Sequence, residues 1–252
     1  MKTFSSITYA LIIAFFFSSC HSSTNNHTSF PTTTTPANST EGNTGRNGKL
    51  YLLSGIVGGL NLSWLYLGDN GELVMNPLHG VDPLNYEAEK QDNSNVGTYQ
   101  INGNQLNITW LSGKTESWPL ETKDGDYSSI NGLMAGRQDG LPEGYTINGT
   151  YGCTLSTANV AASRTFAFSN DGTFQLQGNG YINSNDHETE GAQSDGATSQ
   201  AQSNTAGTYG IRGNTLFLNF NNGEKQAAVI TVFDAGNSQQ LVINENYFPL
   251  HK

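Results

Sequence analysis

The stretch that decides the fold is Gly97-Thr98-Tyr99-Gln100-Ile101-Asn102-Gly103-Asn104-Gln105-Leu106-Asn107-Ile108-Thr109-Trp110, which returns in altered form from Gly207 to Phe220. Apolar and polar residues alternate in both copies, as in a strand with one buried face. The central glycine supplies the positive φ that a two-residue hairpin needs. The predicted cross-strand pairs are Gly97–Trp110, Tyr99–Ile108 and Ile101–Leu106, and Gly207–Phe220, Tyr209–Leu218 and Ile211–Leu216.

A second self-match lies upstream, where residues 65–73 match residues 166–174. Each segment has a three-residue turn that ends in glycine, which predicts a hairpin with Leu67 opposite Leu73 and Phe168 opposite Phe174. The same offset places Gly48-Lys49-Leu50 on Gly149-Thr150-Tyr151. We expect glycine opposite Trp110 and Phe220 to leave room for the aromatic ring.

Each copy continues with a strand pair, predicted near 114–122 with 127–132 and near 224–233 with 240–250. Seven or eight short strands joined by turns predict an all-β fold, in which each copy is a small antiparallel meander barrel. The predicted limits are 48–138 for the first repeat, 139–146 for a linker and 147–252 for the second repeat.

The N-terminus is typical of an exported protein. Residues 1–20 carry Lys2 and then an apolar run from Tyr9 to Phe17 that is too short to span a bilayer, which predicts a signal peptide. Its end, Phe17-Ser18-Ser19-Cys20, resembles the lipobox of bacterial lipoproteins, although that family usually has an aliphatic residue at the position of Phe17. The resemblance implies that Cys20 is acylated, for example with palmitate, and becomes the new N-terminus. An ordinary signal peptide cut near Ser19 is the alternative.

Residues 21–47 are rich in Ser, Thr, Asn and Pro, which predicts a disordered tether. We therefore expect a membrane-anchored protein of the cell envelope. His21 rather than Asp follows the cysteine, which in the enteric version of the family implies the outer membrane. A secreted protein is the alternative location.

The repeats resemble the small lipocalin-like modules of bacterial exported proteins. These modules often carry Asp-Gly-x-Phe and then Gly-Thr-Tyr-x-Ile-x-Gly-Asn-x-Leu, as here in Asn170 to Phe174 and Gly207 to Leu216. The resemblance concerns turns and core positions, so it implies a fold more than an activity. Eight-stranded barrels either fill with side chains or hold one small ligand. Large inward residues predict that the second barrel is filled: Phe166, Phe168, Tyr209 and Phe220.

Composition and motifs argue against several functions. The net charge of −10 argues against nucleic-acid binding, which needs a basic surface. No nucleophile elbow, zinc motif, phosphate loop or calcium loop occurs, so we predict no enzyme, no cofactor and no metal site. Adjacent Asp186, His187 and Glu188 make a poor metal site, and the loop 181–205 around them is predicted to be solvated.

Three residues are singled out besides Cys20. Trp64 and Tyr66 lie on the strand face opposite Leu65 and Leu67, and the second copy has Thr165 and Ala167 there. They are candidates for a binding surface, but we favour the interface between the copies or simple partial burial, because tandem small barrels need a surface on which to dock. Cys153 is either a reactive thiol or, as we predict, a buried small side chain.

The leading functional prediction is a non-enzymatic envelope lipoprotein that binds a small apolar ligand in a lipocalin-like module. The first alternative is a partner-binding or scaffolding lipoprotein that uses the Trp64/Tyr66 face or the 181–205 loop. A secreted hydrolase with scattered carboxylates is a weaker alternative.

Overall fold

The computed structural model of this chain describes residues 47–56, 59–157, 160–179, 205–235 and 238–250. These residues form sixteen strands and one short helix, which confirms the all-β prediction. The signal peptide, Cys20, most of the tether and nearly all of the 181–205 loop lie outside the described residues.

The first eight strands form a closed antiparallel barrel, because the last of them pairs with the first. A helix, α1 (Tyr86–Asp92), lies in the connection between β3 and β4. The strands are β1 (Gly48–Ile56), β2 (Leu60–Gly68), β3 (Glu72–Met75), β4 (Val96–Asn102), β5 (Gln105–Trp110), β6 (Thr115–Lys123), β7 (Asp126–Ile130) and β8 (Leu133–Gln138).

The other eight strands form a second antiparallel meander, which we call the second barrel. Its edge strands approach each other through an isolated bridge between Tyr151 and Leu250. The prediction of two tandem β barrels is thus confirmed. The strands are β9 (Gly149–Thr157), β10 (Val160–Phe168), β11 (Thr173–Asn179), β12 (Thr205–Arg212), β13 (Thr215–Phe220), β14 (Lys225–Ala235), β15 (Ser238–Ile243) and β16 (Asn246–Pro249).

All four predicted hairpins have the predicted register. The reason why both copies have glycine at this position differs from the one expected. A Cβ on Gly97 would lie 2.5 Å from the carbonyl oxygen of Thr109, and one on Gly207 would lie 2.0 Å from that of Asn219. The backbone of the partner strand, more than the aromatic ring opposite, therefore excludes a side chain.

The alignment of the first strands was wrong by one residue. Lys49 pairs with Leu67, and Gly149 pairs with Phe168, the counterpart of Leu67. Tyr51 therefore corresponds to Tyr151. The offset changes because Ile56 pairs with Leu60 across three residues in the first barrel, whereas Thr157 pairs with Val160 across two in the second.

The predicted strand 240–250 was also wrong, because it is two strands. Asn244 adopts a positive φ of 52° between β15 and β16, and Asn tolerates that conformation better than most residues. The chain reverses there, so each barrel has eight strands.

The buried apolar residues form three clusters, and strand alternation separates them. The first interior cluster lies inside the first barrel and contains Tyr51, Leu53, Leu65, Leu67, Leu73, Leu106, Ile108, Leu120 and Ile130. The second interior cluster includes Ile147, Tyr151, Cys153, Phe166, Phe168, Phe174, Tyr209, Leu216, Leu218, Phe220 and Phe248. The interface cluster lies between the barrels and contains Leu50, Leu52, Trp64, Tyr66, Val74, Val81, Val96, Val229 and Val242.

Candidate functional site

Trp64 and Tyr66 do not form an exposed binding surface. Their side chains are only 1% and 3% exposed and belong to the interface cluster, with Val229 and Val242 of the second barrel. They point away from Leu65 and Leu67, as the strand pattern predicted. Docking of the second barrel onto the outer wall of the first buries these two aromatic side chains, so the interface alternative describes them.

Hydrogen bonds tie the barrels together beside this cluster. The hydroxyl oxygen of Thr215 accepts from the backbone N–H groups of Val81 and Asp82, at 2.8 and 2.9 Å. The Asp82 carboxylate in turn accepts from the backbone N–H of Asn214 at 2.5 Å. A second contact is made by the Trp64 indole, which donates to the carbonyl oxygen of Asn244. These contacts fix the relative position of the two barrels.

The buried carboxylate of Glu89 shapes the loop that carries Val81 and Asp82. It accepts from the backbone N–H groups of Leu78 and His79, both at 2.8 Å, and from the Asn93 side chain at 3.0 Å. Burial raises the pKa of Glu89, and these donors oppose that effect. The carboxylate is fully used in holding the loop, which indicates a structural role rather than a catalytic one.

The interiors of the two barrels differ at equivalent positions. Where the second barrel has Phe166, Phe168 and Phe174, the first has Leu65, Leu67 and Leu73, and where the second has Phe248 the first has Ala135. The rings of Phe166 and Phe168 stack with centroids 5.3 Å apart, and those of Phe168 and Tyr209 meet edge to face at 5.0 Å. The interior of the second barrel is thus an aromatic core.

The ends of the first barrel also differ from each other. We call the end at which the chain enters at Gly48 the proximal end. The opposite, distal end carries the connections at 57–59, 76–95, 111–114 and 131–132. Several inward-facing side chains near it are only partly buried although they pack on the first interior cluster: Met75, Trp110, Leu133 and Ala135. These side chains are therefore partly accessible to solvent at this end.

Two tryptophans flank a carboxylate on the inner wall near the distal end. The rings of Trp110 and Trp118 are 5.9 Å apart at 59°, and the Trp118 indole donates to Glu116 at 2.8 Å. Hydrogen bonds, first from Lys114 and then from the indoles, lower the pKa of Glu116. The carboxylate is therefore ionised at neutral pH.

The second barrel has no such group. The counterparts of Trp110, Glu116 and Trp118 are Phe220, Gln226 and Ala228, and these are 8%, 9% and 0% exposed. Phe220 is buried as predicted, whereas Trp110 faces inward but is only half-buried. Sequence analysis missed Glu116 and Trp118, although extending the repeat alignment through β6 would have set Trp118 against Ala228.

In the first barrel, Tyr51, Asp126 and Arg137 form a charged trio, and the residues at the equivalent positions of the second barrel are neutral. The Tyr51 hydroxyl donates to Asp126 at 2.5 Å, and Arg137 donates to the same carboxylate at 3.4 Å. Burial raises the pKa of Asp126, but the hydrogen bonds from Tyr51 and the Tyr127 backbone outweigh it, so that the pKa is lowered.

In the second barrel, Tyr151 donates instead to Gln239 at 2.7 Å, and Gln239 donates to Tyr145 at 2.7 Å. Leu250 takes the place of Arg137. Burial raises the pKa of Tyr151 to about 12, so its hydroxyl remains a donor at neutral pH. The shared element is a tyrosine whose ring is buried and whose hydroxyl is hydrogen-bonded.

Cys153 is 4% exposed and lies in the second interior cluster, which confirms the predicted burial. This burial among apolar side chains fits the predicted small core residue and not an accessible reactive group. Cys20, the only other cysteine, lies outside the described residues.

Among the residues that the structure describes, no group of three His, Cys, Asp or Glu side chains is placed to hold a metal ion. No helix in this part of the chain is both long and apolar enough to cross a bilayer.

Comparison with known proteins found no matching family model, no matching curated protein and no matching solved structure.

Proposed function

We propose that this protein is a non-enzymatic, exported lipoprotein whose first barrel binds a small apolar ligand through its distal end. One observation carries the ligand proposal. At equivalent inward positions the second barrel has phenylalanines, whereas the first has leucines and Ala135 and leaves Trp110 and Trp118 half-buried. The second barrel shows that eight strands in this order can fold around an interior that is filled with side chains. The different content of the first barrel therefore supports a role beyond folding.

The lining indicates the chemistry of the ligand. Met75, Trp110 and Leu133 are apolar and adaptable, and few polar groups accompany them, as is typical of small-molecule sites. Glu116 and Lys114 provide one acceptor and one donor at the opening. We expect an apolar molecule with one polar group, which would stay near these charges while the apolar part enters.

The test uses phenylnaphthylamine, a neutral apolar dye that absorbs tryptophan emission. All three tryptophans, Trp64, Trp110 and Trp118, lie in the first barrel, so energy transfer to the dye reports binding there. We expect saturable transfer in the wild type and at least a tenfold weaker affinity after Ala135→Phe, which adds a ring to the interior. Ala167→Phe is the matched control, because Ala167 faces outward on β10 of the second barrel.

Two results would contradict the ligand proposal. One is no saturable transfer from the wild type to this dye. The other is an equal loss of transfer in both variants while their circular dichroism spectra remain native, because binding would then not depend on the interior of the first barrel.

The anchor is tested separately by mass spectrometry of the N-terminal peptide. The lipobox-like Phe17-Ser18-Ser19-Cys20 supports a mature chain that starts at Cys20 with a diacylglyceryl thioether. A thioether and a disulfide use the same sulfur, so the two have different masses and exclude each other. A Cys20 peptide joined to the Cys153 peptide, or a mature N-terminus beyond Cys20, would overturn the anchor and leave the ligand proposal untouched.

A further inference from the structure

The exposed apolar side chains are concentrated at one end of the first barrel. Among the described residues, four of the six large hydrophobic side chains with high exposure lie at the distal end. These four form what we call the apolar rim: Ile56 (75% exposed), Leu60 (41%), Leu111 (54%) and Met134 (70%). The other two, Ile101 and Phe233, lie at the proximal end and in the second barrel. Single exposed hydrophobic residues are ordinary, but a concentration of them marks a contact surface.

The rim is carried by three separate connections. Ile56 pairs with Leu60, and Met134 pairs with Ser54 on the same outer face, so these residues form one strip. Leu111 follows β5 and belongs to a different connection at the same end. The strip is continuous with the interface cluster, because Leu62, which packs on that cluster, lies between Leu60 and Trp64.

The segments that carry the rim have few charges although the chain has a net charge of −10, whereas the remaining distal connection, 76–95, is charged. Residues 50–68, 105–113 and 127–136 contain no Asp, Glu, Lys or Arg. Lys114 is the nearest cation to Leu111, and its ammonium pairs with Glu116. The rim is therefore neutral as well as apolar, which matches a neutral hydrophobic phase and not a charged partner.

We propose that the apolar rim contacts a lipid bilayer. Side chains on three separate tips can each enter the boundary between headgroups and acyl chains, because a bilayer adapts to an uneven rim. This contact would turn the partly accessible end of the first barrel toward the acyl chains. The inference needs neither a bound ligand nor an acyl group on Cys20.

The experiment measures co-sedimentation with phosphatidylcholine vesicles. The chain of residues 21–252 is used, because it keeps every described strand and helix but lacks the apolar signal segment. We expect binding that falls at least tenfold in Ile56→Asp and in Met134→Asp. Ile101→Asp is the matched control, since it places the same charge at an exposed site on the proximal end, and its binding should stay within twofold of wild type.

Lipid composition and self-association provide further outcomes. Phosphatidylglycerol in the vesicles should weaken binding, because the chain is acidic and the rim has no basic cluster. Absent wild-type binding, or equal loss in Ile101→Asp, would overturn the inference. A concentration-dependent dimer that Ile56→Asp disrupts, without vesicle binding, would overturn it in favour of a second copy of this chain. Dye transfer retained in Ile56→Asp separates a failed rim from a failed ligand site.

Discussion

The two barrels share a register to the residue in their β4–β5 and β12–β13 hairpins, yet they use the space inside differently. The second closes over stacked phenylalanines and a hydrogen-bonded set of neutral side chains. The first has leucines at its centre, tryptophans at half-buried positions and ionised groups near both ends. The common features, such as Tyr99 and Tyr209, mark what the fold requires.

The differences between the barrels are more informative about function. Gln226, Ala228 and Gln239 show that neutral or small residues satisfy the same positions as Glu116, Trp118 and Asp126. Charges and exposed rings cost stability unless they are paired, so a barrel that is only structural has no need of them. The ligand site is therefore proposed in the first barrel, whose outer wall the second barrel covers.

The largest expected effect comes from separating the barrels with Trp64→Ala. This change removes a fully buried ring and the hydrogen bond to Asn244, and we expect it to lower the free energy of unfolding by about 3–5 kcal/mol. Urea unfolding followed by tryptophan fluorescence and by circular dichroism should then show two transitions. Trp118→Ala, which removes a half-buried ring inside the first barrel, is the control and should leave the two probes coincident.

The difference in packing is tested by adding the same volume to each interior. Ala228→Leu should destabilise the second barrel by about 1–3 kcal/mol, because a packed core resists extra methylenes. Ala135→Leu in the first barrel should cost less than about 1 kcal/mol. Urea midpoints measure both, and equal costs would show that the first barrel has no more room than the second.

Asp126→Asn makes the charged trio resemble its neutral counterpart. The pKa of Asp126 is lowered in the folded state, so its carboxylate adds stability above its unfolded pKa that is lost as the pH falls through the folded pKa. The variant should be less stable by about 1 kcal/mol at pH 7 and equal to wild type in strong acid. Urea unfolding across this pH range measures the change, and a constant difference would contradict the role of the charge.

The smallest expected change in stability comes from Glu245→Gln, which tests the interface between the barrels. Burial raises the pKa of Glu245, which Asn76 of the first barrel partly opposes by a hydrogen bond. The folded state then holds a proton more readily than the unfolded state, so stability falls as the pH rises from the unfolded to the folded pKa. The variant should gain less than about 1 kcal/mol at pH 7 and nothing in acid. Thermal unfolding at both pH values decides this.

The local sequence pattern was enough to predict the hairpins but not which residues of the second barrel pack against the outer wall of the first. A glycine turn and alternation determine the register of Tyr99 with Ile108, because both signals lie within a few residues. The alignment failed at Tyr51 because an extra residue in a turn leaves no trace in the strand pattern. Trp64 and Tyr66 were recognised as unusual, but their burial depends on Val229 and Val242, far away in the chain.

The candidate site was predicted less well than the fold. Trp118 and Glu116 alternate with Ser117 as any strand residues do, so nothing local distinguishes a half-buried inner position from a surface one. Trp118 and Glu116 are recognised as unusual only in the closed barrel, where they can be compared with Ala228 and Gln226 at the equivalent positions of the second barrel. Cys153 was placed correctly in the core, because its alternation with Tyr151 and Leu155 is visible within five residues.

The contact between Trp64 and Asn244 also constrains the order in which the parts of the protein fold. The first barrel can close as soon as β8 has emerged, because all of its strand pairs lie within residues 48–138. Its outer wall, however, is covered by residues near 229–245, which are synthesised only after this barrel is complete. During its synthesis the chain can therefore pass through a stage in which a closed barrel presents an uncovered tryptophan and tyrosine, and a chaperone that recognises aromatic surface would meet the protein at that stage.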